Sequence, residues 1–197
     1  MMSYYKLGIA PESKKWKDYM NPSSFLLDEN GNELSDVKLS EIQNEFDGEL
    51  YFNILKEGKI PPVISIGSRF LAFNESVFCP NDLDFSGIQL IPLINRGNNL
   101  KYMLMHVFNY IDCVDWGCSK IDRWPPDYIP DVWESKHGRF FIEPVIYKNK
   151  IPENLGAFRL YEWGGAFNIV ISETFKEKLL SVKFDNTLLD FKPLSLK

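Results

Sequence analysis

Hydrophobic residues in this chain come in short runs separated by turn formers, with few long stripes at helical spacing. Runs of four to eight apolar or β-branched residues bounded by Gly, Pro, Asn and Asp read as strands. The pattern therefore predicts an α+β chain with more strand than helix: a mixed, mostly antiparallel sheet and a few short helices. Tyr4–Ile9 is the first expected strand. Ser24–Asp28 and Glu33–Val37 flank Asn30-Gly31, a hairpin signal because both residues tolerate positive φ. Leu39–Phe46 carries Leu39, Ile42 and Phe46 on one stripe with Ser40 near its start, which predicts a short helix. Pro61-Pro62 then interrupts the chain, since tandem prolines suit neither helix nor central strand.

Beyond that break, Val63–Ile66 predicts a strand and Ser68–Ser76 a helix packed through Phe70, Leu71 and Phe73. Ile88–Ile94 and Leu100–Phe108 predict a hairpin across Asn95-Arg96-Gly97-Asn98-Asn99, a loop rich in turn formers. Arg139–Tyr147 reads as a strand. Ala157–Tyr161 and Phe167–Ile171 form a second expected hairpin across Glu162-Trp163-Gly164-Gly165. Ser172 caps a helix reaching about Ser181, and Lys183–Phe184 and Leu188–Lys192 are the closing strands. Ile64–Phe70 aligns with Ile169–Phe175, and Leu90–Leu93 with Phe191–Leu194. A duplication and the general likeness of strand–helix–strand units explain this equally well. No Gly-rich linker divides the chain, so residues 1–197 are read as one domain.

Composition narrows the function classes. With 22 Lys+Arg against 27 Asp+Glu the net charge is −5, which argues against a nucleic-acid partner, because phosphate binding needs a basic face. The imbalance is local: residues 111–135 hold two basic and six acidic side chains. Three cysteines, Cys79, Cys113 and Cys118, make no even framework and suit a reducing compartment. The most apolar run, Tyr102–Phe108, is far shorter than the roughly 20 residues a membrane span needs. Nor does the start of the chain carry a signal-peptide core. The expectation is a soluble, cytoplasmic protein.

Candidate chemistry is sparse. There is no phosphate-loop fingerprint and no nucleophile elbow. Of the two histidines, His106 sits in an apolar strand and reads as a core residue, and His137 as a turn residue. Cys113 and Cys118 lack the second ligand pair that structural zinc requires, so no metal and no cofactor are expected. Asp112 and Asp115, at a strand end, are the one pair suited to acid–base or magnesium work. Equally, Asp112 can cap a turn and Asp115 can start a helix.

The segment from Asp115 to Trp133 is the unusual one. Trp116, Trp124, Tyr128 and Trp133 are interleaved with Asp122, Asp127 and Asp131, and prolines at 125, 126 and 130 exclude regular structure from Trp124 to Asp131. Trp and Tyr dominate interface hot spots, prolines lower the entropy lost on docking, and acids speed encounter with a basic partner. These seven residues are candidate partner contacts. Alternatively, the loop folds back as a lid that buries its rings.

Several short motifs resemble a bacterial polymorphic-toxin immunity family, the immunity-protein eleven type with a myxobacterial type example, formerly a domain of unknown function. They are Ser172 to Phe175, Phe158-Arg159-Leu160, and Asn109-Tyr110-Ile111-Asp112-Cys113-Val114-Asp115 with Ser119. The resemblance covers about residues 60–194 and includes Ile64–Phe70 and Leu90–Leu93. Residues 1–60 and the 124–133 loop depart from its pattern, as expected where specificity resides in variable segments. It implies a cytoplasmic protein that binds a cognate toxin domain, with no enzyme activity and no cofactor. Under it Asp115, Ser119 and Phe158-Arg159 are structural. The competing classes are a small hydrolase or metal-dependent enzyme built on Asp112 and Asp115, and an interaction domain unrelated to toxins.

Overall fold

The computed structural model describes residues 3–42, 44–67, 69–76, 86–131, 134–161 and 169–197. A five-stranded sheet has the order β11 (Tyr110–Ile111), β15 (Ala157–Leu160), β16 (Ile169–Ser172), β1 (Tyr4–Ile9) and β17 (Leu189–Pro193). A seven-stranded sheet has the order β4 (Glu33–Leu34), β3 (Leu26–Leu27), β5 (Leu50–Phe52), β9 (Ile88–Asn95), β10 (Lys101–Val107), β8 (Phe70–Asn74) and β7 (Val63–Ile66). Three two-stranded ribbons complete the strands: β12 (Lys120–Asp122) with β13 (Phe140–Glu143), β14 (Val145–Ile146) with β18 (Ser195–Leu196), and β2 (Asn21–Pro22) with β6 (Ile54–Lys56). The pairings are antiparallel except β5 with β9, β11 with β15 and β14 with β18. The described helices are α1 (Ser13–Trp16), α2 (Asp36–Glu41) and α3 (Glu173–Ser181). The chain is thus α+β and mostly antiparallel.

Strand residues alternate between faces, and here both faces of each large sheet are buried. On β10, Met105 and Val107 enter a cluster with Leu7, Leu71, Ile169, Ile171 and Phe175, which lies between the two sheets. Tyr102 and Leu104 enter a second cluster with Leu50, Phe52 and Leu39 of α2 on the opposite face. The outer face of the five-stranded sheet carries a third cluster through Tyr4, Phe158, Leu160 and Val170. Arg159, between Phe158 and Leu160, points the other way. It is fully buried, with Nε donating to the Val107 carbonyl at 2.9 Å and Nη2 to the Arg69 carbonyl at 2.8 Å. It ties β15 to the seven-stranded sheet. Burial, and secondarily the Arg69 charge, bring its pKa down to about 10, so it stays charged at neutral pH.

Several elements differ from the sequence expectation, each for a local reason. The expected helix over Ser68–Ser76 is strand β8, because Phe70 and Ala72 face one cluster while Leu71 and Phe73 face the other. A run that is apolar at every position has no periodicity to separate helix from strand. Ile64–Phe70 therefore runs strand to strand and Ile169–Phe175 strand to helix, so the aligned halves do not share a strand–helix unit. The helix expected over Leu39–Phe46 is α2, which begins earlier because Ser35 Oγ accepts the Lys38 amide at 3.3 Å. It ends by Ile42, since Phe46 is drawn to β9 by two 2.7 Å bonds with the Gln89 side chain. Val37 consequently belongs to α2, and β4 stops at Leu34.

Arg139–Tyr147 is split at Pro144, which has no N–H for a ladder. Lys183–Phe184 is a bend before a short 3-10 turn at Asn186–Leu188, whose Thr187 amide is capped by Asp185 at 3.2 Å. The hairpins Ile88–Asn95 with Lys101–Val107 and Leu26–Leu27 with Glu33–Leu34 form as expected, as does α3, with the Ser172 hydroxyl accepting from Phe175 N. β15 and β16 pair antiparallel, and the turn expected at Glu162–Gly165 lies outside the described residues. Among the described residues no helix is long and apolar enough to cross a membrane.

Candidate functional site: an acidic aromatic lobe

Residues 111–131 and 134–147 form a lobe on the outer face of the five-stranded sheet, and its base is a clamp around Asp115. This carboxylate is buried, with Oδ1 accepting from the amides of Gly117 at 3.0 Å and Cys118 at 3.1 Å, while Oδ2 meets Lys197 Nζ at 2.8 Å. Its amide donates to the Val145 carbonyl at 2.8 Å. The Ser119 hydroxyl closes the same junction by accepting from Val145 N at 2.9 Å. Residues 115–119 are therefore a turn rather than the start of a helix, pinned to β14 and through Lys197 to the strand β18 beside it.

The Lys197 ammonium, and then the Tyr147 hydroxyl, hold the Asp115 carboxyl well below the ordinary carboxylate range. Lys197 is raised in turn, first by its hydrogen bond to Asp115. A carboxylate so stabilised is a weak proton acceptor, and Asp112 beside it is exposed. Asp115 is held in a structural ion pair with Lys197. Among the described residues no group of three or more His, Cys, Asp or Glu side chains is placed to hold a metal ion. Cys113 is buried with its thiol pushed up to about 12, chiefly by burial, and Cys118 is exposed. Cys79 lies outside the described residues.

Above the clamp, Trp116 is stacked between two rings. His137 lies 3.8 Å away at 12° and Phe141 5.3 Å away at 26°. Phe141 faces inward on β13, opposite Ile121 of β12, and with Trp116 it packs on the third core cluster. Asp122 bonds Arg139 at 2.7 Å within the same ribbon. The Arg139 amide also reaches the Asp122 carbonyl at 2.7 Å, and a Cβ on Gly138 would collide with that carbonyl. Trp116 and Asp122, expected as contacts, also take part in the lobe's own packing.

The Pro-rich loop closes on itself. Trp124 Nε1 donates to the Ser135 carbonyl at 2.7 Å, and its ring stacks on Tyr128 at 4.4 Å. Glu134 Oε2 accepts from Tyr128 Oη at 2.7 Å and from Asp131 N at 2.9 Å. Among the described residues, Trp124 and Tyr128 belong to none of the three core clusters, and the loop's order comes from these internal bonds. Asp127 and Asp131 are exposed, and neither carboxylate has an ion-pair partner among the described residues. Trp133 lies outside the described residues.

Four large side chains of the lobe stand in solvent: Ile129 at 87%, Phe140 at 54%, Ile142 at 47% and Tyr128 at 41% exposure. Phe140 and Ile142 flank inward-facing Phe141 and share the outer face of β13. Sequence reasoning missed them, although Phe140-Phe141-Ile142 on one strand had to place an apolar residue on each face. Exposed apolar tips together with exposed carboxylates suit a docking partner of opposite charge. His106 is far from this chemistry: it is fully buried, and Nε2 meets the Ile42 carbonyl at 3.1 Å. No protein-family model matches the chain, and no curated protein matches it.

Proposed function

We propose that this protein is an immunity protein that binds and neutralises a cognate bacterial toxin domain by stoichiometric association, without catalysis, in the cytoplasm of the producing cell. The observation that carries the reading is the self-ordered lobe, which holds Tyr128, Ile129, Phe140 and Ile142 in solvent and also carries Asp127 and Asp131, exposed and without an ion-pair partner among the described residues. Protein interfaces combine a few exposed apolar anchors with a polar rim, and a pre-ordered loop loses little entropy on docking. The acids suit a toxin face rich in Lys and Arg, with association that slows as salt rises. Trp124 supports the surface by stacking under Tyr128, and Trp116 and Asp122 support the ribbon from within. The family resemblance points the same way.

The test is co-expression with the product of the adjacent gene, which the proposal requires to end in a toxin domain. Rescue of growth together with a one-to-one complex on gel filtration supports the reading. A complex without rescue makes the protein an interaction domain of another kind, and killing with no complex overturns the proposal.

A further inference from the structure

A second site lies away from the lobe. A cleft of about 690 Å³ opens between α1, the β2–β6 ribbon and β7, within the size range of small-ligand sites. Its apolar wall is contributed from both sides of a seam. Trp16 packs against the cluster between the sheets, whereas Met20 and Ile64 belong to the cluster on the opposite face of the seven-stranded sheet. The Trp16 ring is fixed, because its Nε1 donates to the Ala10 carbonyl at 2.8 Å. Gly58 permits the closure, since a Cβ there would meet the Tyr19 and Met20 backbone at 2.6 Å.

Lys14, Lys17 and Lys56 line the cleft, and among the described residues no Asp or Glu does, although the Asp36 side chain lies against the lining residue Gly67. In a chain of net charge −5 that grouping is uncharacteristic. None of the three lysines has an ion-pair partner among the described residues, whereas neighbouring Lys15, which is not part of the cleft, is paired with Glu12 at 3.5 Å and donates to the Thr187 carbonyl. Asp18 and Glu57 adjoin two of the lysines in sequence but line none of the cleft. The hydroxyls of Ser24 and Ser65 add small polar groups to the wall. Three lysines lining the cleft, none ion-paired among the described residues, attract an anion, and the apolar wall desolvates its hydrocarbon part.

We infer that this cleft is a binding site for a small amphiphilic organic anion, an aromatic or aliphatic body carrying a carboxylate, sulfonate or phosphate. The body lies against Trp16, Met20 and Ile64, and the anionic head sits among Lys14, Lys17 and Lys56. The site is independent of the lobe.

Fluorescence titration with anilinonaphthalene sulfonate tests it on the full chain, with uncharged N-phenylnaphthylamine as the neutral comparison. Wild type is expected to bind the sulfonate saturably at one site, more weakly as salt rises. The K14Q/K17Q/K56Q variant, altered only at exposed positions, is expected to bind it at least tenfold more weakly while its affinity for the neutral amine is unchanged. K15Q is expected to match wild type. Ser65→Trp, which fills the cleft, should abolish the site, and circular dichroism checks that it folds. Non-saturable binding, or equal sulfonate affinity in wild type and the triple variant, would overturn the assignment. Loss of toxin protection has no bearing on this titration, so the two proposals fail separately.

Discussion

His106 offers a quantitative test of how the interior is assembled. Its ring lies on β10 between Phe70, with centroids 6.2 Å apart, and Phe108, 5.8 Å apart. Because Nε2 faces the Ile42 carbonyl, the neutral ring carries its proton there, and Nδ1 is the atom a second proton must take. That proton would put a positive charge in the buried interior, against the repulsion of the Arg159 guanidinium. Burial first, and Arg159 second, lower the imidazole from 6.5 to about 4. The unfolded chain then binds a proton near pH 6.5 that the folded chain refuses until near pH 4, so stability falls as pH drops through that window. The loss is about 2 kcal/mol at pH 5 and tends to about 3 kcal/mol below pH 4, at 1.36 kcal/mol per unit. Urea unfolding of wild type and His106→Gln at pH 7 and pH 5 isolates this contribution, because other titrating groups are common to both. Wild type should lose about 2 kcal/mol more than the variant between the two pH values. Equal losses, or an imidazole that titrates near 6.5 by NMR, would refute the reasoning.

Other consequences concern the lobe. Trp116→Ala removes the ring sandwiched by His137 and Phe141 and should cost about 2 kcal/mol in chemical denaturation, less than a fully buried Trp because it is half-exposed. Tyr128→Ala should cost under about 1 kcal/mol in the same assay, and a larger loss would make the loop a core element. Gly138→Ala forces a Cβ onto the Asp122 carbonyl, so the β12–β13 ribbon should open and Trp116 fluorescence shift red, with the melting temperature lowered. Asp115→Asn loses the Lys197 ion pair, and faster amide exchange at Gly117, Cys118 and Val145 should report the loosened clamp. In wild type the depressed Asp115 value contributes stability above about pH 4. That stability is lost as pH falls through the folded value, and the Asn variant should lack this part of the acid transition.

Much of the sheet was legible because turn chemistry and apolar runs coincide, as at Asn95–Asn99 between β9 and β10. Where a strand is buried on both faces the period disappears, and Phe70–Phe73 then reads as helix as easily as strand. The same limit applies to Phe140-Phe141-Ile142. Residue type cannot say which face meets Trp116, because that depends on a turn pinned by Asp115, Ser119 and distant Lys197. Arg159 stood out as part of a motif, yet its bonds to Val107 and Arg69 are tertiary and carry no local signal. Trp124, Asp127, Tyr128 and Asp131 were legible as unusual from composition alone. Their division into supporting and exposed members was not, because it rests on stacking and on Glu134 as a shared acceptor.

The proposed function requires that the lobe's exposed tips engage a toxin domain. Isothermal titration of that domain into wild type and into an Ile129→Asp/Phe140→Asp variant measures this directly. One-to-one binding is expected, weakened at least a hundredfold in the variant, with the variant's melting temperature within a few degrees of wild type. Undiminished binding by the variant, or no heat of binding from wild type, would contradict it.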